Sequence, residues 1–134
     1  MFIPINLKYT KNHLWTRPIG REDIYIGLTD FAERELGRID LIEINHEGKI
    51  LMKGKSFGII YGANKTLDLI MPVNGQVLVN NDAVLKRPQV LNSDPYHNWI
   101  ALVTIKNYSI DEKDFLNAND YRALVDTTFG GKLN

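Results

Sequence analysis

Six short segments set the limits on this fold: residues 22–28 (EDIYIGL), 39–44 (IDLIEI), 55–61 (KSFGIIY), 66–73 (TLDLIMPV), 75–81 (GQVLVNN) and 99–106 (WIALVTIK). Each is too short for a core helix, rich in β-branched or aromatic residues, and bounded by turn formers. Ile24, Ile26 and Leu28 alternate with the residues between them, which predicts a strand buried on one side. In 75–81, Val77 and Val79 alternate against Gln76, Leu78 and Asn80 in the same way. Pro72 cannot donate to a ladder, so it marks a strand end or edge. Residues 45–49 (NHEGK) form a turn with its own glycine.

Helices are few. Thr29 or Asp30 can cap a short one, Gly37 can end it, and Phe31, Ala32 and Leu36 would face inward. Residues 82–98 hold two prolines and several turn formers, and read as a long ordered loop. Ser109 and Glu112 stand at capping-box spacing, and Tyr121, Leu124 and Val125 share one helical face. The expected architecture is mainly β: a single domain over 1–134, core about 7–126, of short antiparallel strands, with an early short helix and C-terminal helices. A length of 134 residues suits one core.

Sixteen basic residues balance sixteen acidic ones without a run of like charge, so bulk electrostatics predict no nucleic-acid or anionic-membrane binding. The apolar runs are too short to span a bilayer, and MFIPINLKYTKNH lacks the form of a signal peptide. Without cysteine there is no disulfide, thiolate zinc site or thiol nucleophile. A cytoplasmic monomer is expected. His13, His46 and His97 are scattered, without metal-ligand spacing or a serine partner, and read as surface or turn residues. The pairs Glu33/Glu35 and Asp111/Glu112 read as solvated helix faces. No glycine pattern fits a phosphate loop, no metal site is expected, and the residues predict a non-enzyme. What stands out is a polar tip, Gly62-Ala63-Asn64-Lys65, between two apolar strands. Its lysine is either an ordinary solvated turn residue or an attachment point for a carrier arm.

LKYTKNHLW (residues 7–15) is similar to the opening Y-[ST]-x-x-H-E-W of the glycine cleavage H proteins. IYIGLTDFAERELG is similar to their V-G-I-T-x-x-A-x-x-x-L-G. MPVNGQVLVNNDAVLKRPQVLNSDPYHNW resembles their P-V-S-G-x-[IV] and N-x-x-L-x-x-x-P-x-L-[VI]-N-x-x-P-Y-x-x-x-W, one residue shorter between Tyr96 and Trp99. The resemblance runs from about Leu7 to Val125. It implies a lipoyl-domain β sandwich, a barrel-sandwich hybrid, that catalyses no step and carries lipoate on one lysine. It also implies partners: a decarboxylase, an aminomethyltransferase, dihydrolipoyl dehydrogenase and a lipoyl ligase.

The family's attachment segment, E-S-V-K-A-A-S-D, begins its lysine ten residues past a glycine and eight before a proline. Counted from Gly54 and from Pro72, that lysine position is Asn64, and Asp68 falls on the family's aspartate. The upstream glutamate is replaced by Tyr61 and the serine by Gly62, while Lys65 lies one residue late. The family's glutamate before the first tryptophan, which lines the groove for the loaded arm, is Leu14. A carboxamide nitrogen is not nucleophilic at neutral pH, so Asn64 cannot take lipoate, although asparagine suits a positive φ in a tight turn. Two readings follow. One is a degenerate, unmodified protein acting by docking; the other is a carrier with lipoate on Lys65.

Overall fold

The structure, a computed structural model, describes residues 1–45, 47–106 and 111–127. Nine strands form two antiparallel sheets. The six-stranded sheet is ordered β1 (Lys8–Tyr9), β2 (Leu14–Ile19), β3 (Asp23–Leu28), β9 (Ala101–Ile105), β8 (Gly75–Asn80), β5 (Ile50–Leu51). The three-stranded sheet is ordered β4 (Ile39–Ile44), β6 (Ser56–Gly62), β7 (Thr66–Ile70). Neither sheet closes into a barrel. The expected mainly β sandwich is the one observed.

The alternation that identifies the strands also builds the core. Ile24, Ile26 and Leu28 are buried against Ile42, Ile60, Leu69, Val77 and Val103 of the neighbouring strands. Leu14 belongs to this main core with no exposed surface. A second cluster, with Tyr9, Trp15, Phe31 and Tyr121, lies apart from it. On β2, Leu14 enters the main core and Trp15 the second cluster, as the two-residue period requires.

Helix α1 (Asp30–Leu36) is capped by the Thr29 hydroxyl, which accepts from the Ala32 amide at 3.3 Å, and ends at Gly37 with φ 75°. Phe31, Ala32 and Leu36 are buried as expected. Helix α4 (Ala118–Asp126) buries Tyr121 and Val125, with Leu124 half-buried.

Two expectations need correction. Residues 82–98 contain two short helices, α2 (Asp82–Lys86) and α3 (Val90–Ser93), separated by Pro88; at five and four residues they are too short to show a period. β8 does not alternate throughout, because a bulge between Val77 and Val79 leaves Val79 45% exposed. Pro72 stands just past a strand end as expected, since β7 stops at Ile70. The expected cap at Ser109 lies outside the described residues; within them the Asp111 carboxylate caps a single 3-10 turn, Glu112–Asp114, by accepting from the Lys113 amide at 3.0 Å. No described helix is long and apolar enough to cross a membrane.

Candidate functional site

The β6–β7 hairpin pairs Tyr61 with Thr66, and the Gly62 amide donates to the Lys65 carbonyl at 2.9 Å to close the tip. The tip is fastened to the corner between α1 and β4 by its backbone. The Ala63 amide donates to the Arg38 carbonyl at 2.8 Å and the Asn64 amide to the Leu36 carbonyl at 2.9 Å. Gly62 permits this approach: a Cβ there would lie 2.3 Å from the Leu36 carbonyl oxygen.

Asn64 is exposed, and its carboxamide lies over Gly37, whose missing side chain makes the room. A Cβ on Gly37 would stand 2.8 Å from the Asn64 Nδ2. Asn64 does not have the positive φ expected of it, since among described non-glycine residues only His13 does. The left-handed residue of this corner is Gly37, and the hairpin therefore tolerates any residue but proline at 64 on backbone grounds. The Lys65 ammonium turns toward α1 and stands 3.7 Å from the Glu35 carboxylate, with its side chain 38% exposed.

Asn64 and Lys65 thus share the tip, whereas Asp68 does not. Asp68 sits opposite Ile59, one row further down the hairpin than the Tyr61–Thr66 pair, exposed on the outer face of the sheet. Tyr61 is opposite Leu41 on that same face, so the position is a cross-strand apolar pair rather than a carboxylate. Leu14 faces the core and lines no open groove.

A domain match decides what this arrangement belongs to. The family model described as glycine cleavage H-protein covers residues 7–128. The chain belongs to the glycine cleavage H-protein family.

Its relatives match it over most of its length. A glycine cleavage system H protein of Clostridioides difficile is 38% identical over 118 residues, 87% of this chain and 93% of that one. One from Bacteroides thetaiotaomicron is 37% identical over 126 residues, 93% of this chain and 98% of that one. The crystal structure of a glycine cleavage system H protein from Mycobacterium marinum superposes with a TM-score of 0.79 at 26% identity, covering 90% of this chain and 97% of that one.

Within this H-protein frame, sequence reasoning missed the residues that hold the tip. Glu35 reads as a solvated helix residue, yet it faces Lys65; Glu33 also has a partner, accepting from Asn92 Nδ2 at 2.8 Å. The Leu36 and Arg38 carbonyls carry no side-chain signal, and only the glycine between them hints that another segment comes close. His13 is likewise misread. Its Nδ1 stands 2.8 Å from the Tyr121 hydroxyl, which stands 2.8 Å from the Thr29 hydroxyl. Burial lowers the His13 pKa to about 4. His97 is exposed as expected, and His46 lies outside the described residues. No group of three histidines or carboxylates is placed to hold a metal among the described residues.

Proposed function

We propose that this chain is a non-catalytic H-protein-like docking protein that carries no lipoate. It acts in the cytoplasm by binding a partner of the glycine-cleavage or lipoate-attachment machinery. The hairpin tip carries this reading. Its shape is held by backbone hydrogen bonds, while position 64, where the family spacing puts the attachment lysine, holds a carboxamide. An acyl group needs an amine with a localised lone pair, and the Asn64 nitrogen has none. Position 64 therefore does not fit a lipoyl group. Two neighbouring features support the same reading. Tyr61 removes the acid upstream of the tip, and Leu14 is given over to the core.

A second reading rests on one observation. The Lys65 amine is at the same tip, with its side chain 38% exposed, and it pairs with a Glu35 side chain that is itself 23% exposed. Such an amine can leave its partner at small cost, because partly exposed pairs contribute only about 0–1 kcal/mol. In this reading the chain is a lipoyl carrier in glycine cleavage with its arm displaced by one residue.

The intact mass of the protein isolated from its own host separates the two. The docking reading expects the unmodified mass in cells whose other lipoyl proteins are loaded. A lipoyl adduct mapped to Lys65, and lost in Lys65→Ala, establishes the carrier instead.

A further inference from the structure

The corner that holds the hairpin tip is itself held from its other side. Its carbonyls alternate between the two. Those of Leu36 and Arg38 accept from the tip amides, while those of Gly37 and Ile39 accept from side chains at α3. The partners on this second side are both carboxamides. The Gly37 carbonyl accepts from Asn92 Nδ2 at 2.9 Å, and the Ile39 carbonyl accepts from Gln89 Nε2 at 3.0 Å. The Ile39 amide also turns this way and donates to Asn92 Oδ1 at 2.9 Å.

Asn92, half-buried on α3, carries most of this second grip. Its Oδ1 accepts one hydrogen bond and its Nδ2 donates two, to the Gly37 carbonyl and, at 2.8 Å, to the Glu33 carboxylate. The pattern admits one orientation of the carboxamide. Turned over, it would set its donors against the Ile39 amide and its oxygen against two acceptors. One side chain thus ties α1, the glycine that ends it and the first residue of β4 to α3. An aspartate here would keep the acceptor, lose both donors and set a second carboxylate beside Glu33. These bonds go to the corner and to α1, so Asn92 acts on the tip through them.

We infer that Asn92 is a positioning residue for the hairpin tip. Its carboxamide fixes the corner whose Leu36 and Arg38 carbonyls receive the Asn64 and Ala63 amides, and so fixes where positions 64 and 65 stand for a partner. Recognition of a group at a tip needs its place held to within about 0.5 Å, and side chains that lock the supporting backbone supply that precision. The bearing on function rests on the reading that a partner engages the tip. It is the same for a docking protein and for a carrier with its arm on Lys65.

Native-state hydrogen exchange on the full chain tests it, together with binding to two purified probes from the same host, a lipoyl-attaching enzyme and an aminomethyltransferase. Asn92→Asp is expected to speed exchange of the Ala63 and Asn64 amides by about tenfold or more, beyond any change in the core amides of β3 and β9 that report global stability. Whichever probe binds the wild type is expected to bind this variant about tenfold more weakly. Gln89→Ala, at an exposed position, serves if that variant does not fold, with an acceleration of about threefold. Asn98→Asp is the control. Asn98 Nδ2 donates to the Val90 and Asp94 carbonyls at 3.2 and 2.9 Å, so its loss loosens α3 without touching the corner, and the tip amides are expected to keep their rates. Tip amides that accelerate no more than the core ones overturn the inference, as does an equal acceleration in Asn98→Asp. Faster tip exchange with unchanged binding also overturns it, because the partner then does not depend on where the tip stands. A wild type that binds neither probe removes the docking reading instead, and the exchange rates decide alone whether Asn92 positions the tip.

Discussion

At the scale of single residues, His13 departs furthest from its expected role. Its backbone is left-handed, with φ 69°, and its ring lies 5.1 Å from that of Phe31 while bonding the Tyr121 hydroxyl. Tyr121 in turn stacks on Tyr9 at 4.9 Å. Burial favours the neutral imidazole and brings the pKa from 6.5 down to about 4. The unfolded chain therefore binds a proton on His13 between these two pH values and the native chain does not. This part of the stability is complete above pH 6.5 and is lost as pH falls toward 4, by at most roughly 3 kcal/mol. Urea unfolding at pH 7 and pH 4.5 measures it. The stability difference between the two pH values is expected to shrink in His13→Gln, whose carboxylates titrate as before. An equal difference in both proteins would show that His13 is charged in the native state. Nothing in the sequence around His13 announces this role, because its ring neighbours are Phe31 of α1 and Tyr121 of α4, 18 and 108 residues away.

At the scale of elements, the hairpin is built as a fixed structure. A turn tip ordinarily exchanges its amide hydrogens fast, since its donors face water. Here the Ala63 and Asn64 amides are bonded to the Arg38 and Leu36 carbonyls. Native-state hydrogen exchange is expected to find these two amides protected well above those of the exposed β2–β3 turn at Gly20 and Arg21, by a factor of about 100 or more. Rates equal to those of that turn would mean the tip opens freely from the corner. The elements also divide cleanly into those the sequence discloses and those it hides. Thr29 and Gly37 bound α1 by local chemistry, so both ends are legible in isolation. The β8 bulge belongs to the pairing of two strands and appears in neither sequence. Helices α2 and α3 are too short for a period, and the two-residue strands β1 and β5 for an alternation. Asn64 and Lys65 are found by counting from Gly54 and Pro72, but Glu35 and the corner carbonyls require the fold.

At the scale of the molecule, Leu14 and Trp15 join the main core to the second cluster along β2, so neither can come apart while the other stays packed. One cooperative transition is expected on heating, with a calorimetric enthalpy equal to the van't Hoff value and a heat-capacity change of about 1.6–2 kcal/mol/K. Two separated transitions would divide the chain at the second cluster. That the chain is mainly β was legible from alternation, because a strand with one wet face writes its orientation into every second residue; the sandwich was implied by the family resemblance. The make-up of the outer face of the large sheet was not legible, since Arg17, Leu102 and Val79 become neighbours only through pairing across 62 positions or more of chain, apart from the adjacent β8 and β9. The backbone fastening of the hairpin has a last consequence. Its contour is drawn by main-chain groups that every residue possesses, so replacing the side chain at 64 alters the chemistry and leaves the outline. On the docking reading proposed above, an enzyme that finds its substrate by that outline would engage this chain and leave it unchanged. The protein is then a decoy, and its potency is set by its abundance relative to the true substrate.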